Sequence, residues 1–328
     1  MKKACVFIFL LFFLAASIAA GILTGGTPIA PEMIFDALIH PGGQGTMHTL
    51  LWELRLPRIL MAALVGAALA QSGVIFQAIL RNPLAEPYTL GVSGGGALGA
   101  TISIMCGISG IPMVLFCFAG CIISISLVLG VASVKNFTNS MLILTGVIMS
   151  FLFSSIVMFI FAVATSRDVY ASVLWFMGSL AAPDSGSIRI MLFLVAPLML
   201  ILWGFAKDLN VLSLGDEKTY HLGIDAKKAK TALLIAASLI AGACVAAAGV
   251  IGFIGLMIPH LMRKAVGADH HWLLPSSMLA GAGFLIICDS LSQTLIRPLE
   301  LPVGVITGMA GGVFFLLYLI RVKPTEVM

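Results

Sequence analysis

Nearly unbroken apolar runs recur along the chain, each closed by a short polar or Gly/Pro-rich stretch. Most are near twenty residues, the length an α-helix needs to cross about 30 Å of hydrocarbon. Strands of a membrane barrel would instead alternate apolar and polar positions over roughly ten residues. The pattern predicts ten spanning helices, over about 4–23, 58–79, 89–107, 112–133, 140–164, 187–206, 231–250, 253–266, 274–296 and 304–321. The eighth is short and holds Pro259, so it is expected to be broken or tilted. The expected fold is an all-α polytopic membrane protein, one transmembrane domain over 1–328, with both termini on the same side.

Three stretches do not span. Residues 24–57 form an outer loop rich in Gly and Pro, and residues about 167–182, half apolar and ending near Pro183-Asp184, read as a short helix on the outer surface. Residues about 208–230 are polar yet dotted with Leu, the largest segment on the inner side.

Composition excludes a water-soluble domain. The chain is 60% hydrophobic and 10% charged, with a mean hydropathy of +1.12; a soluble surface needs about a quarter of its residues charged. With the N-terminus inside, thirteen of the 18 Lys and Arg fall on the cytoplasmic side and five, Arg55, Arg58, Arg167, Arg189 and Arg297, on the outer side or at outer helix ends. That is the bias of the positive-inside rule, so the net charge of +4 reads as topology and requires no nucleic acid partner. Lys2 and Lys3 precede an apolar run to about Leu23, longer than the roughly 7–15 residues of a signal peptide, so a retained first helix is expected.

Candidate chemistry is sparse. The six cysteines are scattered without a CxxC pair, and no HExxH occurs, so no metal site is expected. Gly91, Gly94, Gly95, Gly96 and Gly99 lack the Lys-Ser or Lys-Thr of a phosphate-binding loop and read as the start of a tightly packed helix. The chain is therefore expected to hydrolyse no ATP itself and to be no enzyme. Asp289 lies deep in the ninth run with Gln293 one turn later, either a proton site or a hydrogen-bonded strut. Gln71 and Gln77 read as interhelical glue. Gly66-Ala67-x-x-Ala70-x-x-Gly73-Val74-Ile75 recurs as Gly242-Ala243-x-x-Ala246-x-x-Gly249-Val250-Ile251, read as an inverted repeat against chance recurrence of small-residue helix packing. Asn82-Pro83-Leu84-Ala85-Glu86-Pro87 is a rigid turn between the second and third helices, since Pro disfavours helix at the residue before it.

Several of these strings, in this order, resemble the FecCD-type permeases. They are Leu54-Arg55-Leu56-Pro57-Arg58, Gly66-Ala67-Ala68-Leu69-Ala70, Ser72-Gly73, Gln77, Arg81 through Pro87, Trp175-Phe176-Met177-Gly178, Leu214-Gly215 with Leu222-Gly223, Gly249 through Leu256, Pro259-His260, Arg263, Gly267-Ala268-Asp269-His270, and Glu300-Leu301-Pro302-Val303-Gly304. The resemblance spans nearly the whole chain. It departs at Gln293, where the family often has Arg, at Gly311-Gly312-Val313 in place of Gly-Ala-Pro, and at His221, where Ala is common.

The resemblance implies a permease subunit of importers for ferric siderophores, haem or cobalamin, working by alternating access. Such subunits pair as homodimers or close heterodimers in the bacterial inner membrane. Two cytoplasmic ATPase subunits bind ATP and Mg, and an outer substrate-binding protein delivers cargo; no cofactor is expected on this chain. The substrate itself, siderophore, haem, cobalamin or oxyanion, is not specified. Residue by residue, the resemblance implies docking of the binding protein at Arg55, Arg58 and Arg297, against plain headgroup snorkelling. It implies a cytoplasmic gate at Asn139 and Ser140, against an ordinary helix cap. It implies a coupling segment in which Leu209, Leu212, Leu214 and Leu222 seat in the ATPase, Asp216, Glu217 and Lys218 face water, and Gly215 and Gly223 break the helix. Asn82, Pro83, Pro87, Pro259, His260, Asp289, Pro302 and Gly304 are carried over as structural motif positions. The rival expectation is an ion-coupled secondary transporter using Asp289.

Overall fold

The computed structural model describes residues 2–27, 31–39, 45–134, 138–181, 183 and 185–321. Parts of the outer loop (28–30 and 40–44), Lys135, Asp184 and Lys323 lie outside the described residues. Ten helices match the ten apolar runs: α1 Lys2–Leu23, α2 Thr46–Leu80, α3 Val92–Met105, α4 Ile111–Val134, α5 Asn139–Val163, α6 Gly186–Gly204, α7 Ala226–Ala248, α8 Ile254–Val266, α9 His270–Thr294 and α10 Val303–Arg321. Seven are long and apolar enough to cross a membrane on that basis alone; α3, α8 and the apolar stretch Val303–Tyr318 of α10 are shorter. Among the described residues the only β pairing is one isolated bridge, Ile296 to Leu299.

Burial sorts the helices into centre and periphery. The most apolar stretch of α2 is 78% buried, whereas those of α1 and α5 are each 17% buried. A helix apolar all round belongs inside a bundle or against lipid, and here both fates occur. α2 packs against α7, α8 and α9, while the lipid-like faces of α4, α5 and α6 expose Leu115, Phe151, Phe159 and Phe193.

Small residues let α2 sit this deep. A side chain at Gly66 would overlap the Gly281 carbonyl on α9, one at Gly281 would overlap that of Gly66, and one at Gly73 would overlap the Gly255 backbone on α8. α3 and α4 interlock the same way through Gly95, Gly99 and Gly120. Backbones this close gain dispersion contacts along their length, the main source of helix adhesion in lipid. The expected repeat is visible in the pairing: α2 contacts α8 and α9, and α7 contacts their counterparts α3 and α4. Both α3 and α8 also start from a left-handed residue, Gly91 (φ 75°) and Phe253 (φ 68°).

Two wide π turns punctuate the bundle, Leu50–Arg55 in α2 and Met191–Val195 in α6. Each ends just before Leu56-Pro57 or Ala196-Pro197, where proline lacks the N–H that would complete the ladder. Pro259 and Pro275 sit inside α8 and α9, yet both helices run on unbroken. Between α5 and α6, Ser166–Phe176 is a separate helix capped by Thr165, whose hydroxyl accepts from Asp168 N at 3.3 Å.

Polar contacts separate the two ends of the bundle. At one end Lys3 meets Asp269 and Arg81 meets Asp216; at the other Arg297 donates to Gly25 O and Arg58 pairs with Glu300. These groupings agree with the ten-helix path and put the basic end at the cytoplasm.

Candidate functional site

At the outer end, Arg58 on α2 clamps Asp289 on α9. Its Nε and Nη2 donate to the carboxylate at 2.9 and 3.0 Å, and Gln293 Nε2 adds a third bond at 2.8 Å. Arg58 Nη1 donates to Glu300 Oε2 at 2.9 Å. The Arg58 and Asp289 side chains are 12% and 4% exposed. Asp289 is thus a strut between α2 and α9, with both oxygens taken by donors. Gln293 fits that setting: Arg58 already balances the charge, and an amide supplies the remaining donor without adding another cation. Arg55, 9% exposed, donates to the backbone carbonyls of Ile22 and Thr27. These bonds change how the three expected docking arginines present themselves at the outer face. Arg55 is buried, Arg58 is half-buried, and both are engaged within the chain; of the three expected docking arginines Arg297 alone is exposed, although it too donates, to Gly25 O at 2.7 Å.

Three recognised strings converge beside this clamp. A side chain at Gly304 would overlap the Met177 carbonyl and press on Val250 O; one at Gly249 would overlap the Trp175 carbonyl. Ser179 N donates to Ala248 O at 2.9 Å. Pro302-Val303-Gly304, Trp175 to Gly178 and Gly249-Val250 therefore form one junction in which α10 starts against the ends of the Ser166–Phe176 helix and α7. Two further positions are explained by contacts. His260 packs its ring 4.4 Å from that of Tyr318 on α10, and Gly311 leaves the space filled by the Phe253 ring.

At the cytoplasmic end, α2 stops at Arg81, which is left-handed (φ 50°). The Asn82 side chain accepts from Leu84 N at 2.9 Å, closing the turn before Pro87. Glu86 and Thr89 cap each other's backbones; burial raises the Glu86 carboxyl above the usual range, with the Phe253 N–H pulling the other way. Pro87 itself packs against Gly255 at the start of α8.

Residues 206–221 form two short helices, Ala206–Ser213 and Asp216–His221, separated by Gly215 at φ 114°, a conformation only glycine adopts readily. The first is bolted down. Leu209 and Leu212 are fully buried, Asn210 Nδ2 donates to Asp269 Oδ1 at 2.9 Å, and His270 N donates to Asn210 Oδ1 at 2.9 Å. The Asn210 amide, more than any other group, holds the Asp269 carboxyl below its usual range. The second helix and the residues flanking it are mostly exposed: Leu214 is 56%, Tyr220 77% and Leu222 60% accessible. Together with Asp225 and Lys227 it lines a groove of about 890 Å³. The four expected leucine anchors thus divide: Leu209 and Leu212 belong to the core, and Leu214 and Leu222 face outward.

Asp216 opens this second helix and does more than keep it soluble. Its Oδ1 accepts from Lys230 Nζ at 2.6 Å and from Arg81 Nη2 at 2.9 Å. Lys230 Nζ also donates to Asn139 Oδ1 at 3.2 Å. The cap of α5 is Thr138, whose hydroxyl accepts from Met141 N at 3.3 Å, so the ordinary capping role falls to neither Asn139 nor Ser140. Lys230, Arg81 and Asn210 were missed as site residues in the sequence. A signal existed for Lys230, which shares one helical stripe with buried Leu233, Leu234 and Ala237. Among the described residues no cluster of three His, Cys, Asp or Glu is placed to hold a metal ion.

Comparison with known proteins gives the same picture. The model of the FecCD transport family matches residues 10–321. The hemin transport system permease protein HmuU of Yersinia pestis is 36% identical over 298 residues, 89% of this chain and 89% of that one. The cobalamin import system permease protein BtuC of Halobacterium salinarum is 36% identical over 318 residues, 94% of this chain and 84% of that one. A solved inward-facing metal-chelate type ABC transporter superposes with a TM-score of 0.85 at 30% identity, covering 98% of this chain and all of that one. This chain belongs to the FecCD transport family.

Proposed function

We propose that the chain is the membrane-spanning permease subunit of a binding-protein-dependent ABC importer for an iron-siderophore, haem or cobalamin-type substrate. The observation that carries this reading is the second cytoplasmic helix. On and beside that helix, a bundle otherwise faced with lipid-like residues presents Leu214, Tyr220 and Leu222 to water next to an open groove edged by Asp216, Asp225 and Lys227. Exposed apolar residues rimmed by charge suit a protein partner. Family membership supports an ATPase, carrying the ATP and Mg, as that partner. Relatives named for hemin and cobalamin support the substrate class. A second permease subunit completes the path, and an outer binding protein docks around the exposed Arg297 end in the bacterial inner membrane. Asn139 and Ser140 stand at the inner mouth of that path. Asp289, held by three donors from Arg58 and Gln293, is poorly suited to the rival ion-coupled mechanism.

Reconstitution of the chain with its ATPase in vesicles tests the reading. ATP hydrolysis should rise on adding the loaded binding protein, and uptake should require ATP. Uptake that follows an imposed proton or sodium gradient without ATP would overturn it.

A further inference from the structure

Lys230 presents an unusual arrangement. Its side chain is 2% exposed, yet the carboxylate that balances it belongs to Asp216, which is 53% exposed. Asp216 stands on a six-residue helix of which only Thr219 is buried. A buried cation therefore depends on a partner carried by a weakly packed peripheral element. The rest of the segment is different in kind, since Ala206–Ser213 is fixed by Leu209, Leu212 and Asn210. Gly215 lies between the two halves as a pivot.

This asymmetry has a mechanical consequence. If the Asp216–His221 helix moves and Asp216 goes with it, Lys230 keeps only the neutral Asn139 oxygen. A charge left uncompensated in a buried site is strongly unfavourable. Lys230 must then follow the carboxylate or turn toward water, and either movement breaks its bond to Asn139 at the start of α5. Arg81, at the end of α2, holds the same carboxylate oxygen. One oxygen thus ties the exposed helix to the inner ends of α2 and α7, and Lys230 extends the link to α5.

Building on the importer reading, we propose that Asp216 is a positioning residue that passes displacement of the Asp216–His221 helix to the inner ends of α5 and α7 through Lys230 and Asn139. The route is a contiguous set of bonds from Asp216 through Lys230 to Asn139, and the relay requires a second, released arrangement of the same bonds. It differs from docking, because Lys230 and Asn139 lie beneath the helix and need touch no partner.

The test uses the full chain purified with its ATPase, with exposed Cys5 and Cys106 changed to Ser and a reporter introduced as Ser140→Cys beside Asn139. Labelling of the reporter by a membrane-impermeant maleimide is compared without nucleotide and after trapping with ATP and vanadate. The reference chain should change its labelling rate about threefold or more between the two states. Lys230→Met with Asp216→Asn removes both charges and leaves neither ion stranded, so the labelling change should disappear in the complexes that retain the ATPase. A merely structural role for the pair predicts that the change survives in the double variant, which would overturn the proposal. Asn139→Ala cuts the last link without disturbing any charge and keeps the test decisive if the double variant accumulates poorly. It should at least halve the response, and a full response would overturn the relay. A reference chain that holds no ATPase would overturn the importer reading instead, so the two failures are distinguishable.

Discussion

Asp289 and Lys230 pose the same physical problem at opposite ends of the bundle, and the chain solves it in two ways. Asp289 is neutralised from within by Arg58 and completed by Gln293, all on spanning helices. Lys230 is neutralised by Asp216, which lies on a peripheral helix. Removing one member of a buried pair leaves the other stranded and costs about 3–5 kcal/mol, whereas replacing both with apolar residues is often close to neutral. Asp289→Ala is therefore expected to lower the thermal midpoint in detergent by several degrees, and Arg58→Met with Asp289→Leu to recover most of the loss. A midpoint unchanged by Asp289→Ala would contradict the strut. The two charges also differed in how far the sequence revealed them. Asp289 is conspicuous because an acid in an apolar run must have a partner, although nothing in the run says that the partner is Arg58. Lys230 is masked by Lys227 and Lys228, and only the rotation of α7 turns it inward while they face water. Arg55 and Arg58 misled in the opposite direction. Arginines at the end of an apolar run read as surface cations, but the last turn of α1 and the start of the outer loop supply Arg55 with carbonyl acceptors at Ile22 and Thr27.

Among the elements, helix existence was legible because an apolar run of about twenty residues has few alternatives in lipid. What the runs could not reveal was rank. α1, α2 and α5 are all strongly apolar, with hydropathies of 2.8, 2.1 and 2.4, yet only α2 is central. The difference lies in the spacing of small residues, which lets α2 approach α8 and α9 at backbone distance. This gives a sharp contrast for mutation. Gly66→Ala and Gly281→Ala would each drive a methyl group into the facing carbonyl, and overpacking of this kind costs about 1–3 kcal/mol or more because backbone must move. Gly130→Ala on α4 and Gly308→Ala on α10 meet nothing within 4 Å and should be neutral or slightly stabilising. Melting of the four variants in the same detergent checks this; equal behaviour of the two sets would mean that the close approach of α2 and α9 is not what holds them. The short inner helices were foreseeable from Gly215 and Gly223, but the division of labour between them was not. Leu209 and Leu212 turn inward because Ala206–Ser213 is pinned by Asn210 to the start of α9, a long-range contact that local spacing does not encode.

For the molecule as a whole, stability and the proposed partnership are separable on one segment. Leu209 and Leu212 hold the bundle together, whereas Leu214 and Leu222 are more than half exposed and contribute little to the isolated fold. Leu214→Asp with Leu222→Asp should therefore leave insertion, yield and thermal midpoint within about 0.5 kcal/mol of the parent chain, as surface changes usually do. In the assembled importer the same two carboxylates would be trapped in an apolar contact without partners, a cost of several kcal/mol and a drop in affinity of a hundredfold or more, on the order of 1.4 kcal/mol per tenfold. The expected result is a well-folded permease that no longer retains the ATPase in pull-down and no longer drives uptake. Leu209→Asp, aimed at the core half of the segment, should instead fail at folding before partnership can be measured. A double variant at 214 and 222 that keeps stoichiometric ATPase would exclude this helix as the contact surface. One that loses stability as well would mean that the two leucines are covered within the membrane assembly by a second permease subunit, a distinction that the melting curve and the pull-down make together.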